Sequence, residues 1–244
     1  MTDLEQPDDP RDTAKLKAVL LVVATVAFVV TPLITQPFTG FDPAQLPVPV
    51  DDPPIQPEGY AFSIWGVIYL WLLGSAGYGL FRRDTAQDWD AGRWGLIVSI
   101  AIGASWISIA LRDPVIATLL IWLMLIGALW ALVRAPKRDR AWNALPVGLY
   151  AGWLTAASCV ALGTVAMGYG LASPPVISWA GLALALAIAL PLTRHLRVPT
   201  YPIAVGWALV GVVVANAATL PVFAAAAGLG AAVLLWLAVT QARA

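Results

Sequence analysis

Charge is scarce in this sequence. Only 11% of the 244 residues are charged, against 60% that are hydrophobic. A soluble domain of that length cannot cover its surface with so few charges. There is one cysteine, Cys159, so an intramolecular disulfide is excluded and redox compartment cannot be read from it. There is one histidine, His195, placed between Arg194 and Arg197, which reads as a solvated loop residue. One His and one Cys far apart offer no ligand set for a metal, and no Ser-His-Asp or Cys-His arrangement can be assembled from them. The long apolar runs lack ionisable side chains, which argues against ion coupling through buried charge. Sodium sites built from carbonyls and hydroxyls stay open. The net charge is zero, and nothing in its distribution marks a nucleic-acid partner.

What the chain does have is apolar length. Runs of about 20 residues recur throughout, enough for a helix to cross a hydrocarbon layer of roughly 30 Å. They are apolar all round rather than alternating with period two, so they read as helices and not as strands of a closed barrel. The expected fold is an all-α polytopic membrane bundle of about eight spans, at 17–36, 60–81, 94–111, 115–133, 143–168, 176–192, 201–218 and 221–239. The last two are parted only by Ala218-Thr219-Leu220-Pro221, so seven spans with a kinked final segment is the alternative. Residues 1–16 read as a polar cytoplasmic tail. With the N-terminus inside, thirteen of the fourteen basic residues fall on inner segments and only Arg112 falls outside. The loop 37–59 carries Asp42, Asp51, Asp52 and Glu58 with no Lys or Arg, and seven prolines that make it extended and stiff. It fits a surface tether and a lid over a cavity equally well.

Twelve tryptophans are present, against roughly three expected from average usage. Trp89, Trp94, Trp142 and Trp179 fit interfacial belts. Trp65, Trp71, Trp106, Trp122, Trp130, Trp153, Trp207 and Trp236 lie deeper, and taken singly each is more often a packing residue than a ligand contact. Their concentration on spans two to five points to a cavity with aromatic walls, suited to a flat apolar ligand. Among polar residues in the runs, Ser and Thr default to bonding the carbonyl four residues back. Asn216 needs a partner within the bundle. Gly148 and Gly152 form a GxxxG pair, read chiefly as internal packing; a homodimer is left open.

Three stretches resemble the tryptophan-rich sensory protein / translocator protein (TspO/MBR) family. PEGYAFSIWGVIYL at 57–70 is similar to the family's proline-rich entry to its second span, with Trp65 and Tyr69 at matching spacing. GASWIS at 103–108 resembles the third-span motif through Trp106, with Gly103 where the family has Asn. LPVGLYAGWLTAASCVAL at 145–162 resembles the fifth-span motif through Pro146, Trp153 and Ala157, with Ala161 at the second Asn position. The likeness covers about residues 17–169, as a five-helix bundle, and leaves 170–244 as an additional group of helices. The family's cholesterol pattern is not matched, because no basic residue follows Tyr169 within five positions.

This resemblance implies a membrane receptor or carrier for a flat hydrophobic ligand of porphyrin or tetrapyrrole type, bound among spans one to five beneath the 37–59 loop. Carried over by position, the ligand-binding residues are Tyr60, Phe62, Trp65, Tyr69, Trp106, Trp153 and Ala157. The two missing asparagines imply a shifted ligand preference. No cofactor is required; a porphyrin or haem would enter as ligand. The expected setting is a bacterial cytoplasmic membrane with the N-terminus inside. Competing readings are a secondary transporter using all eight spans, a pigment-degrading enzyme working through tryptophan chemistry, and a scaffolding subunit. An enzyme is the less favoured of these, lacking a metal, a thiol at the site or an acid–base pair.

Overall fold

A computed structural model describes residues 10–243; the acidic residues Asp3, Glu5, Asp8 and Asp9 of the expected tail lie outside the described residues. Among the described residues the chain forms eight α-helices and no strand: α1 (Pro10–Ile34), α2 (Ile64–Arg83), α3 (Gln87–Ala110), α4 (Pro114–Val133), α5 (Ala144–Gly168), α6 (Pro174–Leu196), α7 (Thr200–Asn216) and α8 (Pro221–Arg243). Seven are long and apolar enough to cross a membrane; α7, at 17 residues, is shorter. Short connections make neighbours antiparallel. Pro114 and Pro221 open α4 and α8 at positions where a missing N–H costs nothing, and Asp113 caps α4 by accepting from Val115 and Ile116 N–H.

Three boundaries differ from the sequence expectation. α1 begins at Pro10, so residues 10–16 are helical rather than part of a loose tail. Entry to α2 is a 3₁₀ turn over Gly59–Ser63. α3 starts at Gln87, seven residues early, and takes Trp89 and Arg93 into the bundle at 3% exposure each. Trp89 therefore packs against Gly79 of α2 and does not belong to an interfacial belt. The Arg93 guanidinium donates to the carbonyls of Ala14 (3.0 Å), Arg83 (2.5 Å) and Asp84 (2.6 Å). It thereby satisfies oxygens that the end of α2 leaves free. α7 and α8 are separate helices, not one kinked segment.

All the described basic residues except Arg112 collect at one end of the bundle. There Lys17 pairs with Asp90 (2.7 Å), Arg83 with Asp139 (2.7 Å) and Arg138 with Asp88 (2.9 Å). Hydrogen bonding to Arg83 holds the Asp139 carboxyl below its ordinary value. Arg140 donates to the Arg197 carbonyl, and Gln241 to the Thr193 carbonyl, so α6, α7 and α8 share that end with α1–α5. An even number of antiparallel helices returns the C-terminal residues to the end where α1 starts.

At the centre is α5, the most buried of the long helices. Small residues let its neighbours close in. A side chain at Gly152 would collide with the Tyr201 carbonyl of α7, and one at Gly148 with Thr200 and Val198. The GxxxG pair is thus an internal α5–α7 contact. Thr155 completes that joint by hydrogen bonding to the Tyr201 hydroxyl (3.0 Å) while also donating to Ala151. Ser99 ties α3 to α4 and α5 through the Met124 carbonyl (2.6 Å) and the Tyr150 hydroxyl (2.9 Å).

Candidate functional site

At the end opposite the basic residues, the loop from Gln36 to Glu58 crosses the mouth of the α1–α5 bundle. Beneath it lie two adjoining cavities of about 60 and 240 Å³, sharing Phe38, Phe62, Trp65, Trp106 and Ile121. The walls are aromatic. Trp65 stacks on Tyr69, one turn along α2, at 5.2 Å and 18°; Phe28 of α1 meets both edge-on at 5.8 and 5.0 Å. Trp153 of α5 stands edge-on to Trp65 (6.1 Å) and Phe62 (5.8 Å). Trp106 of α3 takes Phe38 of the loop edge-on at 4.9 Å. Edge-to-face and offset arrangements are those that the ring quadrupoles favour.

Six of the seven residues expected at a ligand site come together here: Phe62, Trp65, Tyr69, Trp106, Trp153 and Ala157 all line one or other cavity. Tyr60 does not. It is 42% exposed and packs edge-on to Trp207 of α7 at 5.6 Å. Two residues apart in a 3₁₀ turn of three residues per turn, Tyr60 and Phe62 point to different sides. Sequence reasoning missed Phe28, Phe38 and Phe41. A signal was present, because Phe28 is the lone aromatic of α1 and Phe38 and Phe41 flank the loop's Gly40.

Polar groups at the walls are few. Trp106 donates its indole N–H to the Ala117 carbonyl (2.8 Å), and Thr164 its hydroxyl to Val160 (3.0 Å). Trp153 differs: at 2% exposure its indole N–H has no hydrogen-bond partner. A buried orphan donor costs free energy unless something accepts from it.

The loop is fastened in two ways. Its first half reaches α3 and α5: Gln45 Nε2 donates to the Ala110 carbonyl at 3.4 Å, Val48 N–H to the Gly168 carbonyl at 2.9 Å, and Leu46 fills the notch at Gly168. Its second half docks on α6 and α7. Asn216 donates to the Pro54 carbonyl (2.8 Å) and to Val212 (2.8 Å), which supplies the partner its buried amide needs. Glu58 N–H donates to the Gly211 carbonyl (3.1 Å), and Trp207 Nε1 to the Ala61 carbonyl (2.9 Å). Gly211 admits Pro57 so closely that a Cβ there would stand 2.7 Å from the proline's own. Ile55 is buried between Gly163 and Gly181. Between the halves, Gln56 Nε2 donates to the Thr39 carbonyl (3.2 Å) over Gly40, whose φ of +142° and contact with Gln56 leave no room for a side chain.

Among the described residues no group of three or more His, Cys, Asp or Glu is placed to hold a metal ion. Comparison with known proteins gives one result: a family model described as TSPO-like protein matches residues 16–240, reaching from α1 into α8. No curated protein and no solved structure matches.

Proposed function

The chain belongs to the TSPO-like protein family, and from that premise we propose that it binds a flat hydrophobic ligand of tetrapyrrole type in the aromatic cavity beneath the loop. It is an integral membrane protein of the receptor or transporter kind. The observation that carries the ligand reading is the convergence of Phe62, Trp65, Trp106 and Trp153 from four segments onto one cavity. Ring faces and edges supply contact area for a planar ligand. At about 60 and 240 Å³, each cavity is smaller than ordinary ligand pockets, which run from about 300 Å³ upward. A macrocycle therefore needs the loop to lift or has one edge in the mouth. In the membrane the N-terminus and the basic end face the cytoplasm, by the distribution of Lys and Arg. The loop and the cavity mouth then face outward.

Titration of the purified protein with protoporphyrin IX tests this, followed by quenching of tryptophan fluorescence and by the shift of the pigment's absorption band. Saturable binding at micromolar concentration is expected, weakened about tenfold by Trp65→Ala, which removes a stacked ring. Unsaturable partitioning, indifferent to Trp65→Ala and Trp153→Ala, would refute the proposal.

A further inference from the structure

Resting on that reading, we propose that this site selects neutral ligands over anionic ones and that the loop above it is the filter. No acidic or basic side chain lines either cavity. The wall's polar groups are Gln56, Tyr69, Thr164 and the tryptophan N–H groups. Of these, Gln56 and Thr164 already donate to protein carbonyls, while Trp153 offers an unspent donor. A neutral ligand enters walls of this kind without giving up the strong hydration of a charge. A carboxylate in the same place would lose its hydration with no cation to balance it.

A ligand larger than the cavity leaves its edge under the loop, and the loop is acidic. Asp42 is next in sequence to the lining Phe41 and Glu58 to the lining Pro57, and Asp52 and Glu58 stand on a neighbouring cavity beside α7. Asp42, Asp51, Asp52 and Glu58 are exposed on the loop, and no Lys or Arg stands among them. The neighbouring turns at 169–173 and 217–220 carry no charge, and the α3–α4 turn brings Arg112 together with Asp113. Five carboxylates against one cation repel an anionic edge over the range that salt leaves unscreened, about 8 Å at physiological ionic strength.

The test compares protoporphyrin IX, a dicarboxylate, with its uncharged dimethyl ester, on wild-type protein and on the triple variant Asp51→Asn, Asp52→Asn, Glu58→Gln. Asn suits the left-handed backbone of residue 52, at φ +48°. The expected result is that the ester binds wild type at least about tenfold tighter than the diacid. The triple variant tightens the diacid and leaves the ester unchanged, so the ratio shrinks. Because each variant is compared with itself, the greater oiliness of the ester cancels. A diacid that binds wild type as tightly as the ester, or a ratio unmoved in the triple variant, overturns the inference. Should the variant not fold, titrating wild type at low and at high salt reads the same repulsion: the ratio shrinks with added salt if the filter is electrostatic, and a salt-independent ratio overturns it. Saturable binding of neither pigment refutes the ligand reading and this inference with it.

Discussion

The two halves of the loop over the cavity are built to different standards. The first, up to Val50, lies on the cavity through Phe38 and Phe41 and is tied to the helices by Gln45 to Ala110 at 3.4 Å, by Val48 N–H to Gly168 at 2.9 Å and by Leu46 in the notch at Gly168. The second is held by Asn216, Gly211 and Trp207 of α7, with bonds of 2.8 to 3.1 Å, and by Ile55 buried against α5 and α6. Helices outside the aromatic bundle therefore hold the roof of its cavity. The first half carries the rings that close the cavity and has fewer ties to the helices than the second, so it is expected to open ahead of the second half.

The strongest way to break this contrast is Gly211→Val. Added carbons would press on Pro57 and Ala61, whose positions are set by the loop backbone and not by a flexible side chain. Overpacking of this kind costs about 1–3 kcal/mol. The expected outcome is a released second half, seen as protease cleavage and fast amide exchange at 51–58, with the bundle intact. An unchanged exchange rate at the Glu58 amide, which donates to Gly211 in the native protein, would show that α7 is not the anchor.

Asn216→Ala is the next step down. It removes one hydrogen bond to Pro54 at a site where Asn216 is 3% exposed. Net values for such bonds are about 1 kcal/mol, so exchange at Glu58 should rise roughly fivefold. The effect should stay in the second half, leaving Val48 N–H, bound to Gly168, as protected as before.

Much of this was legible in the sequence, and what was not has physical causes. The eight helices follow from apolar length and proline punctuation, and Phe62, Trp65, Tyr69, Trp106, Trp153 and Ala157 meet at the cavity as their positions imply. Tyr60 escaped because a 3₁₀ turn, which hydropathy does not register, swings it toward Trp207. Arg93 and Trp89 escaped because polar residues in the first turns of α3 resemble a loop, and only the fold brings the α2 carbonyls that make a buried guanidinium tolerable. The demand of Asn216 for a partner could be read, but the partner lies 162 residues away in sequence, at Pro54. A pattern reports what a residue requires; topology decides who supplies it.

The smallest effect sharpens the contrast most. Gln56 sits on the second half and donates to Thr39 on the other, at 3.2 Å and partly exposed, so it is the tie across the cavity roof. A single exposed bond of this kind is worth about 0.5 kcal/mol, a little over twofold. Gln56→Ala should therefore raise the rate of pigment dissociation about twofold while leaving exchange at the Glu58 amide unchanged. That pairing separates a latch from a general loosening. If the roof lifts as one piece, the same substitution would accelerate both, and the two halves would have to be treated as a single lid hinged at its ends. If only the pigment rate responds, the first half opens on its own, and the hinge lies near Asp52, the loop's one non-glycine residue in the left-handed region. Stiffening that turn should then slow dissociation in the variant back toward the native rate.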